Sequence, residues 1–285
     1  MSKITQALEK AARERLLRER HLDAPTVTVP PDPEGHAVVS ETVASKVDPH
    51  IVPLFDRKSV IAEQYRMVRT NLQSLKNSRG YRLLLVTSAM HNEGKTVTSL
   101  NLALTLAQQP NCRVLLIDAD LRKGSVQQWL GLEARAGLYE ALTDGVDTQE
   151  TLVQLESSTL TILPAGKLTS EPAELLDSAK MRELLHQLKR QFDYVLVDSP
   201  PVMLVSDPSV LSRHVDGVLF VVRAGRTQRR QLLDAQAKLE QVNAKTIGTI
   251  LTHAEYYNPF YSRYYRHYYH HEKSRDAAQV SASVS

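Results

Sequence analysis

Four compact apolar segments recur along the middle of the chain, and segments with helical periodicity lie between them. The segments YRLLLVTS, RVLLID, DYVLVD and DGVLFVV end at Ser88, Asp118, Asp198 and Val222. Runs of this length are typical of strands buried on both faces of a parallel sheet. Their alternation with helices predicts an α/β fold in which helices cover both faces of a mostly parallel sheet. In such folds a ligand binds at the carboxyl ends of the strands.

The same periodicities give the expected bounds of the elements. The first strand is predicted at Tyr81–Ser88 and a final strand at Lys245–Leu251. Helices are predicted at Val60–Lys76, Thr96–Gln109, Met181–Gln191 and Gln228–Val242.

The composition of the flanking segments divides the chain into four expected parts. A helix is predicted within residues 1–22, where apolar residues recur with helical spacing. Residues 23–54 are expected to be an extended linker, because they are mostly polar or small and hold six of the thirteen prolines. The sheet domain is expected at residues 55–252, and a tyrosine-rich tail at residues 253–285.

The overall composition excludes several classes of protein. With 42% hydrophobic and 24% charged residues, the 285-residue chain is neither collagen-like nor wholly disordered. Its single cysteine, Cys112, cannot form an internal disulfide. No apolar run reaches the roughly 18 residues of a membrane span, and the first residues lack a signal peptide's apolar stretch. We therefore expect a cytoplasmic protein, and the net charge of +3 does not by itself indicate nucleic-acid binding.

A phosphate-binding loop is predicted between the first strand and the helix that follows it. The segment TSAMHNEGKT matches the pattern G-x-x-x-x-G-K-[ST] at Gly94, Lys95 and Thr96, while Ala89 occupies the first glycine position. Backbone N–H groups at a helix N-terminus bind phosphate oxygens, the lysine reaches the outer phosphates and the hydroxyl binds Mg²⁺. A surface turn with an incidental Gly-Lys-Thr is the alternative.

The predicted nucleotide-binding residues are consecutive in this loop. They are Ala89, Met90, His91, Asn92, Glu93, Gly94, Lys95, Thr96 and Val97. Asn92 suits a position with positive φ, because Asn adopts that conformation more readily than other non-glycine residues.

Carboxylates end two of the predicted strands at the same edge of the sheet. The segment LLIDADLR places Asp118 and Asp120 there, and LVDSPP adds Asp198. In phosphate-loop folds such carboxylates coordinate a metal or activate a nucleophile. A lone Asp is often only a helix N-cap or a turn residue, but three at one edge indicate a catalytic site.

Together these motifs resemble those of the bacterial tyrosine kinases (BY-kinases) of capsular and exopolysaccharide biosynthesis. The resemblance covers roughly Lys58 to Tyr269. The combination of motifs is specific, although each motif alone is not. It implies a P-loop kinase domain that uses ATP and Mg²⁺ to phosphorylate tyrosine.

The same resemblance implies a role for each motif residue. Lys95 and Asp118 are the expected catalytic residues: Lys95 neutralises the β- and γ-phosphates, and Asp118 receives the proton of the attacking tyrosine hydroxyl. Thr96, Asp120 and Asp198 are the expected metal-binding residues, directly or through water. The base need not be strong, because phosphoryl transfer depends mainly on positioning and charge neutralisation.

The loop departs from the family pattern at two places. The family usually has Pro-Gly where this chain has His91 and Asn92. Thr252 stands where the family usually has an Asn that contacts adenine. These departures bear on turnover and on base selectivity more than on phosphate and metal binding.

A charged motif in the predicted helix before the first strand points to self-association. Glu63, Arg66 and Arg69 are three residues apart, so they lie along one helix face and can form a charged ridge directed outward. A solvated face is the simpler interpretation. The triplet resembles, however, the E-x-x-R-x-x-R motif through which BY-kinases pack into rings, which implies a homo-oligomer interface.

Seven of the eleven tyrosines lie in the tail: Tyr256, Tyr257, Tyr261, Tyr264, Tyr265, Tyr268 and Tyr269. They occur in adjacent pairs that face several directions, so burying all of them in a core is difficult. The resemblance implies that they are autophosphorylated. Alternatives are base stacking on single-stranded nucleic acid and metal binding by His267, His270 and His271. Neither is favoured, and no nucleic-acid partner is expected.

The resemblance also implies partners. Family members are either fused to a membrane activator or separate chains, and no span is predicted here. We therefore expect the cytoplasmic part of a membrane polysaccharide co-polymerase to recruit the chain to the inner face of the membrane. A tyrosine phosphatase is expected to reset the tail. Two alternative functions stay open: a ParA/MinD-type switch ATPase and a catalytically weak ring-forming adaptor.

Overall fold

An eight-stranded sheet forms the centre of the computed structural model. The structure describes residues 37–38, 47–132, 136–155 and 158–254, which belong to one unit, His36–Ser285. The strands are β1 (Ala37–Val38), β2 (Leu83–Ser88), β3 (Val114–Asp118), β4 (Val153–Gln154), β5 (Leu160–Leu163), β6 (Tyr194–Asp198), β7 (Gly217–Arg223) and β8 (Thr246–Thr252). Their order is β1-β4-β5-β3-β6-β2-β7-β8. All neighbours are parallel except β4 and β5, which confirms the expected mostly parallel sheet.

Helices connect the strands. They are α1 (Val52–Phe55), α2 (Val60–Arg79), α3 (Lys95–Ala107), α4 (Val126–Leu130), α5 (Leu138–Thr143), α6 (Thr148–Thr151), α7 (Pro172–Leu176), α8 (Ala179–Gln191), α9 (Asp207–Leu211) and α10 (Arg229–Gln241). A 3₁₀ turn at Ser212–His214 follows α9. The long helix α2 has local start and stop signals: the Ser59 hydroxyl accepts a hydrogen bond from the Ala62 N–H, and Gly80 ends the helix at φ 70°. None of the helices in the described ranges is both long and apolar enough to cross a membrane.

Alternate residues of the central strands pack into two separate hydrophobic clusters. In β2, Leu83 and Leu85 belong to one cluster, while Leu84 and Val86 belong to the other. Residues of α5, α8 and α10 complete the first cluster, and residues of α2, α3 and α4 complete the second. Because both faces of the sheet are covered in this way, the strands are apolar throughout, as their sequences predict.

The predicted elements agree closely with the structure. Strands β2, β3 and β6 end at Ser88, Asp118 and Asp198, as expected. The strands β1, β4 and β5, on one side of the sheet, have only two, two and four residues. These strands were not predicted, because segments this short carry little periodicity.

Residues 47–54, which were expected to belong to the linker, instead pack on the sheet domain. Val47 and Ile51 are buried in the second cluster, and Pro53 is buried in α1. These apolar side chains are separated by polar residues and prolines, so their spacing gave no sign of burial. The predicted N-terminal helix and the tail tyrosines lie outside the described residues, and the other domain boundaries stay predictions.

The Asp216 carboxylate stabilises the edge of the sheet at which the strands begin, opposite the edge formed by their carboxyl ends. Its Oδ2 accepts hydrogen bonds from the N–H groups of Arg82 and Leu83, both at 2.9 Å, and its Oδ1 accepts one from Lys189. Burial alone would raise the pKa of Asp216, but the Arg82, Lys189 and Leu83 donors outweigh it and hold the pKa below its usual value.

We therefore expect Asp216→Asn to lower the free energy of unfolding at pH 7 by about 1–3 kcal/mol. A carboxylate whose pKa is lowered by folding stabilises the fold above its unfolded pKa of about 3.9 and loses that effect as the pH falls through the folded value. Urea unfolding at pH 7 and at lower pH measures this difference in the free energy of unfolding between variant and wild type. The difference should decrease as the pH falls. Asp234→Asn on the exposed surface is the control, and a difference that does not depend on pH would contradict the account.

Candidate active site

The phosphate loop occupies the turn between β2 and α3. Its last residue, Gly94, has φ 89° and serves as the N-cap of α3, a conformation that favours glycine. Asn92 has φ 59°, which confirms the positive φ expected for it. Ala89, at the first glycine position of the pattern, is fully buried. The loop therefore has the left-handed backbone positions of a tight phosphate-binding turn.

Hydrogen bonds to residues at or just after the ends of β7 and β8 hold the loop in place. The buried carboxylate of Glu93 accepts hydrogen bonds from the Met90 N–H at 3.3 Å and from the Thr227 hydroxyl. The Arg223 guanidinium donates to the Asn92 carbonyl at 3.1 Å. These contacts fix the loop before any ligand binds, which lowers the cost of ordering it around phosphates.

Thr252 belongs to the same support. Its hydroxyl donates to the Glu93 carbonyl at 2.9 Å, and its methyl group faces the Cα of Gly94. The residue that stands in place of the family's adenine-contacting Asn is thus engaged with the loop backbone.

Asp198 ties the end of β6 to the start of α3. Its Oδ2 accepts a hydrogen bond from the Thr96 hydroxyl at 2.7 Å, and its Oδ1 accepts one from the Ser99 hydroxyl at 2.8 Å. Burial raises the pKa of Asp198 to about 6, although Lys95 opposes the shift. Burial also lowers the pKa of the Lys95 ammonium, and the charges of Asp198 and Asp120 partly offset that effect. A cation and two carboxylates therefore share one poorly solvated region.

Asp118 lies opposite Asp198 across the β3–β6 pair and is fully buried. Its Oδ1 accepts a hydrogen bond from the Asp120 N–H at 3.2 Å, and its Oδ2 accepts one from the Val126 N–H at 3.0 Å. Burial, followed by the charge of Asp198, raises the pKa of Asp118 to about 8. The carboxyl group therefore binds a proton readily in the ligand-free site.

A cavity of about 350 Å³ opens beside the loop. It is lined by Asp48, His91, Asn92, Gly94, Lys95, Thr96, Val97, Asp120, Lys123, Ser125, Gln128 and Trp129. Six of the nine residues predicted to bind the nucleotide are in its wall, whereas Ala89, Met90 and Glu93 are not. Of the predicted acidic residues, Asp120 lines the cavity, and Asp118 and Asp198 are buried beneath it.

Five residues of the wall were missed by the sequence analysis: Asp48, Lys123, Ser125, Gln128 and Trp129. Lys123 and Ser125 follow directly on the LLIDADLR motif, so an extension of that motif would have found them. Asp48 comes from the supposed linker, and no local pattern indicates its position.

The donor set fits a nucleotide phosphate group with Mg²⁺. Thr96 supplies a hydroxyl, and Asp120 and Asp198 supply carboxylates, which are the ligand types that Mg²⁺ takes together with phosphates and water. No group of three or more His, Cys, Asp or Glu side chains in the described ranges is arranged to hold a metal by itself. The site thus resembles one in which substrate phosphates complete the coordination.

The predicted interface triplet lies on α2, and its guanidinium groups are engaged within the subunit. The Nε of Arg66 donates to Glu63 at 2.7 Å, and its Nη1 donates to the Arg57 carbonyl at 2.7 Å. Arg69 donates to the Thr105 carbonyl in the last turn of α3 at 3.0 Å. The ridge is therefore half-buried and fixed in place, more so than the sequence analysis expected.

Comparison with known proteins gives two kinds of match. A family model described as an AAA domain matches residues 89–227. The tyrosine-protein kinase YwqD of Bacillus subtilis (strain 168) is 34% identical over 218 residues, which are 74% of this chain and 92% of that protein. The kinase domain of the Escherichia coli tyrosine kinase ETK has a TM-score of 0.68 and 28% identity, covering 75% of this chain and 88% of that chain.

The cell division ATPase MinD of Pyrococcus furiosus is 22% identical, with a TM-score of 0.52 over 60% of this chain and 71% of that chain, which shows the fold alone. Met90 of the loop packs against the first hydrophobic cluster. The match to YwqD extends over most of both proteins. The chain therefore belongs to the bacterial tyrosine-protein kinases.

Proposed function

We propose that the chain transfers the γ-phosphoryl group of ATP to the tyrosines of the C-terminal tail of a neighbouring copy. The observation that carries this proposal is the meeting of Lys95, Thr96 and three carboxylates at one edge of the sheet, beside a cavity. A catalytic lysine, a metal site and a proton acceptor are the parts that phosphoryl transfer requires.

The reaction follows from the position of these groups. The tyrosine oxygen forms a bond to the γ-phosphorus, the bond from that phosphorus to the β–γ bridging oxygen breaks, and ADP leaves with the electron pair. Lys95 and the loop N–H groups hold the β- and γ-phosphates, and Thr96, Asp120 and Asp198 would hold Mg²⁺. When bound, Mg²⁺ supplies positive charge that offsets the phosphates and favours ionised carboxylates around it.

Asp118 is the proposed acceptor of the hydroxyl proton. Burial, followed by the charge of Asp198, raises the pKa of its carboxyl group to about 8, so the protonated form is favoured at pH 7. Added positive charge lowers the pKa and frees the carboxylate. We therefore propose that a bound cation favours the form of Asp118 that accepts the hydroxyl proton.

The biological setting is the second part of the proposal. By its family, the chain acts in exopolysaccharide polymerisation or export, and the cytoplasmic part of a membrane co-polymerase recruits it to the inner face of the membrane. Each phosphate adds about −1.5 to −2 charges to the tail. A modified tail is repelled by the carboxylates of the site, so a ring of subunits loosens until a tyrosine phosphatase resets it.

Lys95→Met should abolish tail phosphorylation while leaving the chain folded. The lysine interacts with phosphates more strongly in the transition state than in the ground state, so its loss should reduce the rate at least about 100-fold. Anti-phosphotyrosine detection after incubation with Mg·ATP measures the effect, with Lys245→Met, on the exposed start of β8, as the control. Near-normal phosphotyrosine in a folded Lys95→Met chain would contradict the assignment of this loop as the phosphate-binding loop.

Transfer between copies can be tested by mixing two defective chains. The Lys95→Met chain has tyrosines but no activity, and a chain truncated after Glu255 has activity but no tail. We expect phosphotyrosine on the first chain only when the second is present. Its absence, despite activity of the intact protein, would show that transfer occurs within one chain.

Changing both Arg66 and Arg69 to Ala should convert the unphosphorylated assembly to monomers. The planar, multi-donor heads of these arginines suit contacts between subunits. Light scattering measures the assembly size, and circular dichroism shows whether α2 stays folded. The control replaces the exposed Arg226 and Arg230 with Ala. A wild-type chain that is monomeric at every concentration tested, with and without the co-polymerase fragment, would remove the basis of the ring.

A further inference from the structure

One face of the short helix α4 forms a wall of the cavity. Ser125, which precedes the helix, and Gln128 and Trp129 within it are spaced i, i+3 and i+4, and all three line the cavity. The Ser125 hydroxyl lies 3.3 Å from the Thr96 hydroxyl, which places the start of α4 beside the proposed metal ligand. Trp129 is one helical turn further along, which corresponds to a rise of about 5–6 Å.

The same helix is anchored on the proposed proton acceptor. The Val126 N–H donates to Asp118 Oδ2 at 3.0 Å. The first turn of α4 therefore connects three features of the site: the carboxylate that receives a proton, the hydroxyl that binds the metal, and the indole of Trp129.

Trp129 is held in place from its other side by the segment that follows the linker. The Asp48 N–H donates to the Trp129 carbonyl at 3.0 Å. The ring of His50 meets the indole edge-on, with centroids 6.2 Å apart and an interplanar angle of 88°. The indole is half-buried, so it is fixed by its neighbours while part of it still lines the cavity.

The direction of the phosphates decides what this wall can contact. In a phosphate loop the lysine and the hydroxyl at the helix start reach the outer phosphates and the metal. Since the Ser125 hydroxyl contacts the Thr96 hydroxyl, the start of α4 lies beside the group expected to reach the metal and the outer phosphates. The attacking oxygen approaches in line on that side. The space in front of Trp129 is therefore close to the side from which the acceptor side chain approaches.

We infer that Trp129 is the platform for the aromatic ring of the acceptor tyrosine. This inference rests on the proposed kinase function. Aromatic rings pack favourably on one another in offset or edge-to-face geometry, and a ring on Trp129 directs its hydroxyl toward the γ-phosphate beside Thr96. The occupant is a tail tyrosine from a second copy of the chain. Asp48 also lines the cavity; its Oδ1 accepts a hydrogen bond from the His50 N–H at 2.9 Å, and its negative charge suits the weakly basic tail, in which Arg263 and Arg266 alternate with tyrosines.

The first test separates acceptor binding from nucleotide binding. A synthetic peptide of residues 255–270 serves as acceptor for the full-length wild type, Trp129→Ala, Trp129→Phe and the control Gln127→Ala, whose side chain is on α4 but does not line the cavity. We expect Trp129→Ala to raise the KM for the peptide on the order of tenfold and to leave ATP affinity unchanged. Trp129→Phe should keep most of the peptide affinity, and Gln127→Ala all of it.

The second test does not depend on any Trp129 variant being folded. Trp129 is the single tryptophan of the chain, so its fluorescence reports its surroundings directly. Titrating the full-length Lys95→Met chain with the peptide in the presence of Mg·ADP should change the emission with saturation. A peptide with every tyrosine replaced by alanine should leave the emission unchanged.

The outcomes distinguish this inference from the proposed function. A wild-type chain that phosphorylates no tyrosine of the peptide contradicts the kinase proposal. A wild type that does so, together with an unchanged peptide KM in folded Trp129→Ala, contradicts only the role of Trp129. A parallel loss of ATP affinity would make Trp129 a platform for the nucleotide base, and unchanged fluorescence with the tyrosine peptide would also overturn the inference.

Discussion

The buried carboxylate of Asp198 is the group on which the rest of the site depends. It accepts hydrogen bonds from the hydroxyls of Thr96 and Ser99, so it holds the first turn of α3 against the end of β6. Its β-sheet partner is Asp118, which brings the two carboxylates together at the edge of the sheet. Burial raises the pKa of both carboxyl groups, and the neighbouring charge of Asp198 adds to the shift of Asp118. Positive charge from a phosphate-bound cation would favour the ionised form of both carboxyl groups.

The fold itself brings these groups together. Parallel strands bring their carboxyl ends to one edge, and the loop between β2 and α3 places Lys95 there. The loop is kept in shape by the buried carboxylate of Glu93, which accepts hydrogen bonds from the Thr227 hydroxyl and the Met90 N–H. Glu93 and Asp198 have different roles. The hydrogen bonds of Glu93 support the loop, whereas Asp198 is linked through the Thr96 hydroxyl to the side where the nucleotide is expected to bind. The site is rigid where phosphates bind, and α4 extends it toward the acceptor.

The sequence predicts the chemistry of the site better than its full extent. Lys95, Thr96, Asp118, Asp120 and Asp198 are recognisable because short motifs hold them next to strand ends, and the structure brings them together as expected. Asp48 and Trp129 carry no such signal, since they line the cavity through the contact of residues 47–54 with α4, which no local pattern indicates. The hydrogen bond from Arg69 to the Thr105 carbonyl was not predicted either. The spacing of residues along a helix shows which face they share, but it does not show what that face contacts.

The central claim is that the site transfers phosphate to the tail tyrosines, and site mapping on the unaltered protein tests it most directly. The purified full-length chain is incubated with Mg·ATP, digested, and analysed by mass spectrometry, with Mg·ADP as the control. The account predicts phosphotyrosine within residues 256–269 that increases with time and is absent with Mg·ADP. Hydrolysis of ATP without any phosphotyrosine in those residues would contradict it and would identify a switch ATPase on the same fold.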